Sequence, residues 1–168
     1  MKEITSLKRI TLVALLIAAN VVISRFFIIP VPMTHGNINL CDAGIFIAAL
    51  LLGRREGMVV GGLSGFLLDL ISGYTQYMFF SLIVHGLEGL IVGWLNEKHT
   101  RKSLILAMSC GVLIMVGGYF LTDTFLYTLT AGLIGITTNF LQGVVGGLVA
   151  LPVYYRLSGR VFSQSQSK

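Results

Sequence analysis

Charge is what this sequence has least of. Of its 168 residues only 11% are Asp, Glu, Lys or Arg, against 55% hydrophobic, and the mean hydropathy is +0.85. No ordinary soluble domain tolerates such a surface, so the chain is predicted to be an integral membrane protein. No hydrophilic stretch is long enough for a soluble ATPase, receptor or catalytic domain, and any nucleotide hydrolysis must come from a partner. The two cysteines, Cys41 and Cys110, have no metal or redox spacing and read as bland thiols. A succession of ten-residue alternating strands is missing, and twenty glycines with only three prolines suit packed transmembrane helices better than a barrel. No internal repeat stands out, which weakens a secondary transporter built from inverted halves. A net charge of +5 would suit nucleic acid if the basic residues were clustered, but their distribution along the chain is a topology signal instead.

What is present is a succession of apolar runs. They predict an all-α bundle of six transmembrane helices in one domain, 1–168, over about 10–29, 42–52, 58–72, 77–95, 104–121 and 131–155. The first run resembles a signal peptide, but Phe26-Phe27-Ile28-Ile29-Pro30 stands where small residues would mark cleavage, so it reads as a retained helix. A polar loop with Pro30 and Pro32 follows. The second helix is short for a bilayer, which normally needs about 20 residues. The segment Thr122–Thr130 either extends the fifth helix or caps it, and the tail from Arg156 reads as polar and frayed. Small residues at Ala14 and Ala18, Gly61 and Gly65, and Gly143 and Gly147 form faces where helices can approach closely.

With six spans, eleven of the twelve Lys and Arg residues fall on one side, Arg25 being the exception. The positive-inside rule makes that side, with both termini, cytoplasmic. The second helix must cross, because otherwise Arg54 and Arg55 would lie outside. The orientation gathers Arg25, Asp42, Asp69, His85, Glu88, Tyr119, Asp123, Asn139 and Gln142 between the outer end and mid-depth. That pattern describes a cup open to the outside, since a continuous water-filled pore would need polar lining throughout.

His85 and Glu88, three apart on one helix face, are the costliest of these groups and need partners. Glu88 either contacts a ligand or pairs with His85 or Arg25; His85 either contacts a ligand or serves only to satisfy Glu88. Arg25 snorkels or pairs with Asp42, Asp69 or Asp123. Asp42 and Asp69 cap helix ends or reach a ligand. Asn139 and Gln142 bind or join helices by hydrogen bonds. The aromatics Tyr74, Tyr77, Phe79, Phe80 and Tyr119 read mostly as an interface belt, with Tyr119 the best candidate for stacking on a planar ligand. His35, in the first loop, is a weak candidate. An intramembrane enzyme using Ser81 with His85, or a metal on His85 and Glu88, is a weaker reading because no third orienting group and no second His at ligand spacing is visible. An autonomous channel or proton-coupled carrier, with Glu88 and Asp69 as relay, lacks a polar inner half.

Several segments, taken together and in order, resemble one family. They are Gly36-Asn37-Ile38-Asn39-Leu40-Cys41-Asp42 with its helix, Leu68-Asp69-Leu70-Ile71-Ser72-Gly73-Tyr74, His85-Gly86-Leu87-Glu88-Gly89, Gly118-Tyr119-Phe120-Leu121, and Asn139-xx-Gln142-Gly143. This set resembles the substrate-binding S components of energy-coupling factor (ECF) vitamin transporters over nearly the whole chain, most of all the hydroxymethylpyrimidine or pyridoxine subgroup. Relatives often carry Lys where this chain has His85. The resemblance implies a multi-pass protein of the bacterial plasma membrane, not an enzyme, with no cofactor and no metal. It implies capture of a small vitamin from outside by the first loop and helices four to six, with Asn39, Asp42, His85, Glu88, Tyr119, Asp123, Asn139 and Gln142 as the substrate-binding set. It further implies toppling within the membrane, driven by a transmembrane T component and two cytosolic ATP-binding subunits, with Ala14 and Ala18 on the face presented to the T component.

Overall fold

The computed structural model describes residues 6–31 and 36–166, with side chains over 7–159. His35 and Pro32 lie outside the described residues, as do Lys2 and Lys168 of the charge count. The described residues form six helices: α1 (Ser6–Phe26), α2 (Cys41–Leu52), α3 (Arg54–Ser72), α4 (Met78–Leu95), α5 (Arg101–Leu126) and α6 (Leu129–Gln166). Within them Leu7–Phe26, Met78–Leu95, Arg101–Leu126 and Leu129–Gly159 are long and apolar enough to cross a membrane. Their outer faces carry exposed large side chains such as Leu15, Ile83, Leu113, Leu121 and Leu148, as expected where lipid is the solvent.

Four boundaries differ from the sequence-based expectation. α1 stops at Phe26, because Ile29 and Pro30 leave the helix to form strand β1, paired antiparallel with β2 (Asn37–Ile38). Pro30 has no amide hydrogen to continue a helix, and the loop becomes a short ribbon. α3 begins at Arg54, four residues earlier than expected, because Gly53, at φ 97°, is the only residue joining α2 to α3. That left-handed conformation suits glycine, and it folds the two helices back on each other. α5 continues through Leu126, held by Thr122 Oγ1 donating to the Gly118 carbonyl at 2.9 Å and by burial of Asp123. α6 continues past Pro152 and through the polar tail to Gln166.

α2 is only 12 residues, about 18 Å of helix. Its first residues, Cys41 and Asp42, are fully buried, so it starts inside the protein, behind the ribbon. Irregular backbone at that depth is tolerated where protein covers it.

Close packing is set by small residues. α3 and α4 run antiparallel with glycine against backbone: a Cβ on Gly89 would fall 2.1 Å from the Gly57 carbonyl oxygen, and one on Gly61 2.2 Å from that of His85. On α6 a Cβ at Gly143 would meet Val112 at 2.9 Å, and one at Gly146 the Asp42 side chain at 2.7 Å. The two ends of the bundle then differ in kind. At one end Phe46, Leu50, Val92, Leu104, Ala107, Ala150 and Tyr154 make a dry core, near ion pairs between Arg9 and Glu56 and between Arg54 and Glu97. Toward the other end the interior is polar.

Candidate functional site

The polar end holds a narrow, partly open cleft. Val31, Gly36, Asn37 and Asn39 of the α1–α2 segment form one wall; Asp69, Tyr77, Tyr119, Asp123, Gly135, Thr138, Asn139 and Gln142 complete it. Five of the expected binding residues therefore come together here: Asn39, Tyr119, Asp123, Asn139 and Gln142. Asp69, which the sequence left as a helix cap or a ligand contact, joins them, as does Tyr77, which it read mostly as an interface aromatic.

Much of this polar equipment is committed to the fold. Asn39 Oδ1 accepts from the Cys41 amide at 2.8 Å, starting α2, while the Asn39 amide donates to Gln142 Oε1 at 2.8 Å. Gln142 thus ties α6 to the α1–α2 segment. Tyr77 Oη donates to Asp123 Oδ1 at 2.7 Å, holding α5 against the start of α4. Asn139 is different: half-buried in the wall, its amide is bonded to nothing among the described residues and is open to a ligand.

Asp42, His85 and Glu88 do not line the cleft. They lie beneath it as a buried cluster, 0%, 3% and 0% exposed, reached through a chain of hydrogen bonds. Ser81 Oγ donates to Asp69 Oδ2 at 2.5 Å. That contact uses the one hydroxyl proton of Ser81, so the 2.6 Å contact between Ser81 Oγ and Tyr119 Oη must be donated by Tyr119. Tyr119 has then no proton left, and its 3.0 Å contact with His85 Nε2 requires the imidazole to donate. Bond counting in this way assigns a proton to Nε2. The other ring nitrogen, Nδ1, faces Glu88 Oε2 at 2.8 Å and Asp42 Oδ1 at 3.8 Å.

These hydrogen bonds fix several of the polar pairings. Glu88 pairs with His85, and Asp42 caps nothing: α2 has no side-chain cap. Arg25 is exposed and forms no ion pair among the described residues, which fits snorkelling and excludes the suggested pairing with Asp42, Asp69 or Asp123. Ser81 and His85 do not bond each other directly; Tyr119 stands between them, its ring edge-on to the imidazole at 5.5 Å. A serine whose proton is directed at a carboxylate, with no bond to the imidazole, is not arranged as an activated nucleophile. The Tyr119 link was not legible from spacing, because it joins α3, α4 and α5.

Ala14 and Ala18 are both exposed on α1, whose inner side packs Ile17 and Val21 against Ala48 and Val60.

Several known proteins are similar to this chain. The family model for the S component of ECF-type riboflavin transporters matches residues 4–158. The thiamine precursor transporter HmpT of Lactococcus lactis subsp. cremoris (strain MG1363) is 40% identical over 146 residues, 86% of this chain and 84% of that protein. An uncharacterized protein of Pyrococcus woesei is 31% identical over 134 residues, 79% of this chain and 90% of its own. Among solved structures, the S component for biotin from an ECF-type ABC transporter superposes with a TM-score of 0.65, covering 92% of this chain and 95% of that one. At 19% identity that likeness concerns the fold alone.

Proposed function

This chain belongs to the S components of ECF-type transporters, and from that membership we propose that its cleft captures hydroxymethylpyrimidine, a thiamine precursor. As a member of that family it is an integral protein of the bacterial plasma membrane, the substrate-binding part of a transporter and not an enzyme. The observation that carries the substrate reading is that the Asn139 amide, unbonded among the described residues, lines one small cleft together with Asp69, Asp123 and Tyr119. An aminopyrimidine offers a planar ring, an exocyclic amine that donates and ring nitrogens that accept. Carboxylates, an amide and an aromatic face are the complementary set. The 40% identity to a thiamine precursor transporter supports the same class.

In this reading Asn139, Tyr119, Asp69 and Asp123 contact the substrate, and Asn39 and Gln142 hold the wall in place. Asp42, His85 and Glu88 act from below, through Tyr119, as positioning residues. The cleft faces outside and both termini are cytoplasmic, which the shared basic end of the bundle supports. All six helices work as one unit over residues 1–168. Energy comes from a T component and two ATP-binding subunits, with Ala14 and Ala18 of α1 on the face that meets the T component.

Calorimetric titration of the purified chain with hydroxymethylpyrimidine, pyridoxine and thiamine tests the substrate. Hydroxymethylpyrimidine should saturate one site per chain without ATP. Tighter binding of pyridoxine, or no binding of any of the three, refutes the assignment. Proteoliposomes holding this chain alone should accumulate nothing, and uptake there would restore the autonomous carrier.

A further inference from the structure

The cluster beneath the cleft has an unmet need. Asp42 Oδ1 and Oδ2 and Glu88 Oε1 have no hydrogen-bond partner, although both side chains are fully buried. Two buried carboxyls in this state need a proton or a cation close by. Among the described residues the ion pairs of the cluster involve only His85, and Arg25 is exposed on α1. A single proton between Nδ1 and Glu88 Oε2 would satisfy that 2.8 Å contact and leave the three other oxygens as they are.

We propose that Asp42, His85 and Glu88 bind a divalent transition-metal ion, through His85 Nδ1 and carboxylate oxygens of the other two. Four features support the site. One donor atom from each residue lies within 4.8 Å of the other two, with His85 Nδ1 2.8 Å from Glu88 Oε2 and 3.8 Å from Asp42 Oδ1; donors around one ion at about 2.0–2.2 Å sit about 3–4 Å apart, so binding would open the first contact slightly and draw the carboxylates in. The carboxylate oxygens that lack partners belong to the same cluster. The set of one imidazole and two carboxylates suits zinc, cobalt or manganese, whereas calcium and magnesium favour oxygen throughout. Finally, the hydrogen-bond chain holds the imidazole as a metal-ligating histidine is usually held. The ring nitrogen turned away from the cluster donates to Tyr119, which leaves the Nδ1 lone pair directed at the carboxylates.

His85 and Glu88 are close in sequence, but neither supplies a third ligand. Asp42 does, because α2 begins inside the bundle. The ion would lie one side chain below the cleft and make Tyr119 a link between metal and substrate. The site does not depend on which vitamin the cleft takes.

The test uses the full chain without an affinity tag, in detergent, stripped with chelator and dialysed against Zn²⁺ and, separately, Co²⁺. Elemental analysis should give one Zn²⁺ per chain, and bound Co²⁺ should show the visible absorption of a low-coordinate site. Glu88→Gln and Asp42→Asn should each weaken Zn²⁺ binding at least tenfold, while Gly117→Ala leaves it unchanged. Both carboxamides remove an unpaired buried charge, so both variants should fold, and either one alone decides the matter. Retention of neither metal, or undiminished Zn²⁺ binding in either carboxamide variant, overturns the site. Titration of the same samples with hydroxymethylpyrimidine separates this from the substrate assignment. Pyrimidine bound with no metal retained refutes only the metal site, and metal bound with no pyrimidine refutes only the substrate.

Discussion

Asn139 and Gln142 lie one turn apart on α6, carry the same functional group and line the same cleft, yet they should respond to truncation in opposite ways. The Asn139 amide bonds nothing among the described residues. Asn139→Ala should therefore leave thermal stability within about 0.5 kcal/mol of the parent, while removing one or two hydrogen bonds to the bound pyrimidine. At about 1 kcal/mol each, that is a loss of about 1–2 kcal/mol of binding, or roughly 5–30-fold in Kd. Gln142→Ala instead strands the buried Asn39 amide, whose partner at 2.8 Å is Gln142 Oε1. An orphaned buried donor costs about 1–3 kcal/mol, and the start of α2 rests on this contact. The assay is paired: thermal unfolding in detergent without ligand, then titration with hydroxymethylpyrimidine. Asn139→Ala should change only the second reading and Gln142→Ala the first, with any loss of affinity in Gln142→Ala following from the displaced wall. Unchanged affinity in Asn139→Ala would refute the assignment of its free amide to the ligand. A large fall in stability there would show that it joins helices after all.

Tyr119→Phe removes the hydroxyl that receives the His85 Nε2 proton and donates to Ser81. It should cost about 1–3 kcal/mol of stability for the orphaned imidazole donor, and titration should show weaker pyrimidine binding; a variant as stable and as tight as the parent would remove the chain from the mechanism. Gly89→Ala places a methyl 2.1 Å from the Gly57 carbonyl oxygen, a backbone neighbour that cannot rotate away, so unfolding should show a loss of about 1–3 kcal/mol or more. Gly117→Ala, with nothing within 4 Å of the new methyl, should be neutral or stabilising by up to about 1 kcal/mol, the difference in helix propensity. Ala14→Leu with Ala18→Leu, on an exposed face, should leave pyrimidine affinity of the isolated chain unchanged while reducing copurification with T component and ATPases; intact assembly would move the partner surface elsewhere.

The polar end of the bundle was legible because it follows from parity. Once the basic residues are assigned to one side, each helix direction fixes which of its residues are deep, and Asn139, Gln142, Tyr119 and Asp123 fall at one level without knowledge of packing. The pairing of His85 with Glu88 was legible because three residues on a helix share a face. The joining of Asp42 to that pair was not. It requires α2 to start inside the protein, and the 12-residue length that signals this also describes a re-entrant or a thinned span. Nor did any spacing announce that Asp69, Ser81, Tyr119 and His85 would form one chain, since they come from three helices whose rotation about their axes is set by contact.

That rotation has an identifiable source. A Cβ at Gly61 would lie 2.2 Å from the His85 carbonyl oxygen, and one at Gly65 would lie 2.7 Å from the His85 ring carbon Cδ2 and 3.1 Å from the Ser81 carbonyl oxygen. The sequence identified Gly61 and Gly65 only as a face for close approach. In the structure they seat α4 so near α3 that the imidazole lies over Gly65, and Ser81, one turn back on the same helix, faces Asp69 of α3. The small residues therefore do more than permit packing: they orient the functional side chains of the neighbouring helix. Gly65→Ala follows as a separating case. Its methyl meets the imidazole and two neighbouring Ser81 atoms, none of which is the end of a long flexible side chain. The Tyr119–His85 contact should then lengthen while the distant Tyr77–Asp123 bond is retained. If pyrimidine affinity falls as it does in Tyr119→Phe, the orientation of His85 matters to binding; an affinity equal to the parent's would restrict these glycines to holding the helices together.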